Sequence, residues 1–128
     1  MSYDVRLVDE KGESVTVPRH EDGGTRIVGG TEKAELNNTY NYGGLFRQYF
    51  HLSGIKWLHR QTGAETRRRL AWGHYRLLAE EHLRRHIEEA TPYTSNDYWE
   101  GTPGNAAYAL LRLWMWAEQH PTATFEVS

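Results

Sequence analysis

At 128 residues the chain fits one domain, 1–128, long enough to bury about two-thirds of the surface its unfolded form exposes, so neither a disulfide nor a structural metal is required. It contains no cysteine, which excludes a disulfide scaffold, thiol chemistry and thiolate zinc sites, and its net charge of -2 gives no general attraction to nucleic acid or anionic membrane. No apolar run reaches the roughly 18 residues of a membrane span, and Met1 to Val5 lacks a basic patch before an apolar stretch, so an unprocessed cytoplasmic protein is expected.

Val5 and Leu7 alternate with Asp4, Arg6 and Val8, Asp9-Glu10-Lys11-Gly12 reads as a turn, and Ser14 to Val17 alternates again before Pro18, which together predict a hairpin. After a polar loop over 18–24, Thr25 to Val28 and Glu32 to Leu36 flank Gly29-Gly30 and predict a second hairpin. Gly43-Gly44 precede a short amphipathic helix near 44–51, and a second is expected near 54–61 with Ser53 as its cap. Thr62-Gly63-Ala64-Glu65 matches a capping box and opens a long helix over 64–90. Trp72, Tyr75, Ala79, Leu83, Ile87 and Ala90 recur on it at spacings of three and four and read as its buried face, while Arg67, Arg68, Arg76, Glu80, Arg84 and Glu88 read as its solvated face.

Thr102 and Pro103 then mark the start of a helix over 104–119, a hydroxyl cap followed by the residue best suited to the first helical position. That helix is apolar almost all round, with Arg112 nearly alone until Glu118, and belongs between other layers. Thr122 to Val127 has strand composition and returns to the N-terminal sheet. The fold class is therefore α+β: a small, mainly antiparallel sheet made of two hairpins and a C-terminal strand, packed on about four helices.

Two polar junctions carry the candidate site. Asn37, Asn38, Tyr40, Asn41 and Tyr42 lie where a strand leads into a helix; Asp97, Tyr98, Trp99 and Thr102 lead into the last helix. If they converge, the rings stack on a planar group, the amides and Asp97 read hydrogen bonds, and the free amides at the helix start receive an anion, a combination suited to a small anionic or nucleotide-like ligand. The alternatives are packing tyrosines and amides that merely end strands and cap helices.

Other chemistry has weaker signals. His82 and His86 share a helix face, but no third ligand and no intervening catalytic glutamate is present, so no metal and no cofactor is expected. Arg67-Arg68-Arg69, Arg76, Arg84 and Arg85 are diluted by Glu65, Glu80, Glu81, Glu88 and Glu89, so nucleic acid is not an expected partner. The chain lacks a Gly-x-Ser-x-Gly elbow, a phosphate-binding Gly-x-x-x-x-Gly-Lys loop and a Gly-x-Gly-x-x-Gly turn, so no catalytic residue is assigned.

The order of short motifs, Gly29-Gly30-Thr31-Glu32, Glu35-Leu36-Asn37, Thr39-Tyr40-Asn41-Tyr42, Thr62-Gly63-Ala64-Glu65, Asp97-Tyr98-Trp99 and Thr102-Pro103-Gly104-Asn105-Ala106, resembles a group of small phage and prophage proteins without assigned activity. The resemblance implies a phage origin and a host-cell cytoplasmic setting, and no residue roles. The expected function is a phage accessory protein that binds or sequesters a small anionic or nucleotide-like ligand without turnover. The alternatives are a protein-interaction or homo-oligomeric module acting on a host or phage protein, with Trp57, Tyr98, Trp99, Trp114 and Trp116 on its surface, and a small hydrolase using Asp97 or Glu100.

Overall fold

The computed structural model describes residues 2–22, 28–88 and 100–128. Strand β1 (Ser2–Val8) is central in a three-stranded antiparallel sheet, with β4 (Glu35–Thr39) on one side and β5 (Thr124–Val127) on the other. Val5 sits opposite both Leu36 and Val127, so the alternation read in β1 puts Val5 and Leu7 into the core. The C-terminal strand thus joins the N-terminal sheet as expected.

The first predicted hairpin is different. Only Val8 and Ser14 form a bridge across it, and the following strand β2 (Thr16–His20) instead pairs with β3 (Thr31–Lys33) in a separate two-stranded sheet. The reason lies in the backbone around Val15: its N–H donates to Leu7 and its carbonyl accepts from Ala34, while the N–H of Leu7 donates to Ala34. Buried Ala34 interrupts the run Glu32 to Leu36 and hands the chain from one sheet to the other. Of the predicted second hairpin, residues 25–27 lie outside the described residues, and Val28 is exposed.

Among the described residues there are three α-helices, not four: α1 (Gly43–Tyr49), α2 (Gly63–Glu88) and α3 (Pro103–Gln119). The helix expected near 54–61 is a single 3-10 stretch, Gly54–Leu58, and Ser53 does not cap it; the N–H of Ser53 donates to His51 Nδ1. Left-handed Gly54 (φ 65°) and Arg60 (φ 67°) bracket the segment and prevent a longer helix.

The capping box of α2 is present as a reciprocal pair: the Thr62 N–H donates to Glu65 Oε1 at 2.9 Å and the Glu65 N–H to Thr62 Oγ1 at 3.2 Å. The next free amides are met by the chain that links α3 to β5, Gly63 donating to the Ala123 carbonyl and Ala64 to that of Pro121, both at 2.9 Å. Helix α3 runs through the middle of the molecule. Leu110, Leu113 and Trp116 share one core with Val5, Leu7 and Phe125 of the sheet, Phe46 and Phe50 after α1's start, and Leu70 and Leu77 of α2.

Helix α2 is rotated against expectation. Its buried residues are Gly63, Thr66, Leu70, Gly73, His74, Leu77 and Glu81, whereas Trp72, Tyr75, Leu83 and Ile87, read from sequence as the core face, are exposed; Ala90 lies outside the described residues. Two close approaches fix this orientation. A Cβ on Gly63 would stand 2.7 Å from the carbonyl oxygens of Ala117 and His120, and one on Gly73 would stand 2.9 Å from Leu110 Cδ1 and Phe50 Cδ1. The polar members of the buried face are satisfied: Thr66 donates back to the Thr62 carbonyl at 3.0 Å, and His74 Nδ1 lies 2.7 Å from the Ala107 carbonyl.

The capping box makes the α2 start sensitive to acid. The Thr62 amide, and next its side chain, hold the Glu65 carboxyl below its ordinary range. A carboxyl depressed in the folded state contributes stability that is full above the unfolded pKa and lost as pH falls through the folded one. Glu65→Gln should therefore lower the thermal midpoint at pH 7 and produce a smaller difference at pH 3; an equal difference at both pH values would contradict the capping role.

Candidate functional site

The two junctions read from the sequence touch at one described point. A Cβ placed on Gly101 would stand 2.8 Å from the Asn41 carbonyl oxygen, so the approach to α3 lies directly against the end of the β4 junction. Asp97, Tyr98 and Trp99 lie outside the described residues. Among the others, most polar groups have internal work. Asn37 Nδ2 donates to Ser2 Oγ at 2.7 Å and to Asp4 Oδ1 at 2.8 Å across the strand pair. Asn38 is buried, and its amide nitrogen has no partner among the described residues. Tyr42 is buried edge-on against Phe46 at 5.7 Å, and half-exposed Tyr40 packs on Tyr3 at 4.4 Å. The Asn41 N–H donates to Thr39 Oγ1.

At the start of α3, Thr102 acts as the expected cap, accepting from the Asn105 N–H at 3.1 Å, with Pro103 at the first helical position. The anion seat of that helix end is taken by the protein itself. Glu81, on the buried face of α2, accepts the Gly104 N–H at 3.1 Å and the Arg84 Nε at 3.0 Å, and also accepts from Arg84 Nη2; its side chain is 0% exposed. A carboxylate removed from water is stable here because a guanidinium, a free backbone amide and the positive end of a helix all face it. The expected external anion at the Thr102 start therefore has an internal substitute.

An open cleft of about 520 Å3, lined by Arg19, His20, Glu21, Asp22, Tyr108 and Arg112, lies between the β2–β3 sheet and α3. Its groups bind one another. His20 Nδ1 lies 3.3 Å from the Asp22 N and 3.6 Å from Asp22 Oδ2, while its Nε2 stands 3.0 Å from the Lys33 carbonyl. Asp22 Oδ2 lies 2.7 Å from Arg112 Nε, and Arg112 Nη2 donates to Tyr108 Oη at 2.7 Å. The cleft ties the smaller sheet to α3 rather than presenting reactive groups.

The outer surface of α2 is built differently. Arg76 lies over the rings of Tyr49 (5.2 Å) and Trp72 (4.5 Å), Arg69 over Trp72 (4.8 Å) and Trp57 (5.8 Å), and Trp57 stacks on His51 (5.1 Å, 20°). Rings and guanidinium groups alternate along one edge of the helix. Arg76 is anchored there by the Tyr49 carbonyl at 3.3 Å, whereas Arg69 has no carboxylate partner among the described residues. Burial, and then the charge of Arg69, lower the His51 pKa, so the ring is neutral at pH 7. Glu80 hydrogen-bonds Tyr49, whose pKa is raised first by burial and then by that carboxylate.

Beside this edge runs an apolar stripe: Trp72 is 45% exposed, Tyr75 59%, Leu83 52% and Ile87 71%, with exposed Ala79 between them. Sequence reasoning found these residues and assigned them to the wrong side. The available signal was the competing series Gly63, Leu70, Gly73, Leu77 and Glu81, whose small and charged members lower its apparent hydrophobicity although they make the closest contacts. His82 and His86 are exposed, and among the described residues no group of three His, Asp or Glu stands ready to hold one ion.

Comparison with known proteins gives no matching family model, no matching curated protein and no matching solved structure, so the functional reading rests on this geometry. The internal anion is directly testable. Glu81→Ala should destabilise the fold by about 2–4 kcal/mol in urea titration, because it takes from the buried Gly104 amide its carboxylate acceptor and from Arg84 its ion pair. Glu81→Gln, which retains an acceptor oxygen, should lose less; a change below about 0.5 kcal/mol in Glu81→Ala would show that the carboxylate does not hold the start of α3.

Proposed function

We propose that this chain is a protein-interaction module whose docking surface is the outer face of α2. The observation that supports it is the exposed stripe of Trp72, Tyr75, Leu83 and Ile87 on a helix whose opposite face already fills the core. A helix that buries glycine, histidine and glutamate while it exposes tryptophan and isoleucine gains solubility from neither choice. Exposed patches rich in aromatic residues with arginine at the margin have the composition of interface centres, and Arg69 and Arg76 supply that margin. The motif order supports a phage-encoded accessory role, in which the docked partner would be a host or phage protein.

The stripe can be tested by site-specific photo-crosslinking in the producing cell. A photoreactive residue at Leu83 or Tyr75 should yield discrete adducts, and one at Leu52, which is 88% exposed but lies off α2, should not. No adduct at either α2 position above the Leu52 control would remove the proposal.

A second reading is favoured by one separate observation, the Arg69 guanidinium held between two indoles with no carboxylate partner among the described residues. A guanidinium in this place suits a phosphate or carboxylate, and this reading moves the expected anionic, nucleotide-like ligand from the α3 start to the edge of α2. Adenosine triphosphate and a ten-residue oligothymidylate, titrated against tryptophan fluorescence, should bind saturably and lose about 10-fold or more in affinity in Arg69→Ala. If neither probe binds at low salt, the ligand reading fails and the interaction reading stands.

A further inference from the structure

We infer that the occupant of the α2 face is a second copy of this chain, its α2 lying antiparallel to the first about a two-fold axis at Ala79; the inference rests on the interaction reading and names the partner.

The stripe is nearly its own mirror along the helix. Trp72 and Tyr75 lie seven and four residues before Ala79, and Leu83 and Ile87 lie four and eight after it. Antiparallel pairing centred on Ala79 sets Tyr75 of one copy opposite Leu83 of the other and brings Trp72 within one residue's rise of Ile87, each large ring near an aliphatic side chain. The small residue falls at the axis, where two helices approach most closely. Symmetric homodimers with such isologous contacts are the commonest oligomers, and the pairing needs only one surface.

Charge follows the same symmetry. At 100° per residue Arg76 and Glu80 fall on one flank of the stripe, and they stand on opposite sides of Ala79 along the axis. A two-fold perpendicular to the helices keeps that flank facing itself, so Arg76 of each copy lies within side-chain reach of Glu80 of the other. A two-fold parallel to the helices would carry this flank to opposite sides of the seam and separate the two charge sets.

The area is adequate for modest affinity. The stripe spans about 22 Å from Trp72 to Ile87. With side-chain areas on the order of 200 Å2 for residues of this size, the stated exposures leave about 450 Å2 of apolar surface on the four large residues. The methylene stems of Arg69, Arg76 and Glu80 alongside bring each face toward the ~600–800 Å2 per partner at which specific interfaces form.

Sedimentation equilibrium of the full chain from about 1 to 300 μM should show a single-chain to two-chain transition with a dissociation constant of about 1–100 μM. Ala79→Arg places two like charges at the axis and should abolish the transition, its thermal midpoint at low concentration remaining that of the wild type because Ala79 is exposed. Arg76→Glu should weaken association about 10-fold, and Arg76→Glu combined with Glu80→Arg should restore it, a rescue that only self-pairing of this register provides. A chain monomeric at every concentration, or an Ala79→Arg variant that still dimerises, overturns the inference. Adducts at Leu83 to a different protein, from a chain that is monomeric, would overturn the second copy while preserving the interaction reading.

Discussion

The packing of α2 on α3 decides everything else about this molecule. It is closed at glycine on two levels. Gly63 meets the backbone at the C-terminal end of α3, and ten residues later Gly73 meets Leu110 and Phe50, with no space for a Cβ at either place. At the far end Glu81 reaches the first amides of α3. Gly63, Gly73 and Glu81 lie on one side of α2, so once all three contacts form the helix cannot rotate. Trp72, Tyr75, Leu83 and Ile87 are then left on the other side because of how α2 is fastened, not because of their own preference for water.

That constraint also shows where sequence reading succeeds here and where it fails. The starts of α2 and α3 were legible because their chemistry is local: Thr62 bonds Glu65 and Thr102 bonds Asn105, each within three positions, with Pro103 marking the first turn. The alternation of β1 and the return of β5 were legible for the same reason, since a period of two needs no knowledge of the partner. The face of α2 was not. Its two sides both repeat at three and four residues, and apolarity alone favours the side with tryptophan and isoleucine. Only the three-dimensional pairing of Glu81 with Arg84 and the α3 start makes the polar side the buried one.

The same distinction applies to the candidate site. The β4 junction and the approach to α3 touch where Gly101 meets Asn41, while Asp97, Tyr98 and Trp99 lie outside the described residues. Sequence had no means to see that a carboxylate 23 residues before Gly104 would fill the start of α3, or that Asn37 and Tyr42 would be absorbed by the sheet and the core. In the helix the opposite occurred. Of the glutamates counted as diluting the arginines, Glu65 is engaged in the cap, Glu80 on Tyr49 and Glu81 with Arg84, and among the described residues Arg69 is left between its two indoles.

The most direct measurement is the thiol accessibility of single-cysteine variants, made simple by a chain that has no cysteine of its own. Under native, dilute conditions Leu83→Cys should react with a small thiol reagent at nearly the rate of an unfolded peptide, while Leu77→Cys should be slowed about 100-fold or more, since reaction there needs local opening of the α2–α3 contact. A protected residue 83 with a reactive residue 77 would mean that α2 presents its apolar stripe to the core after all, and the docking surface would not exist.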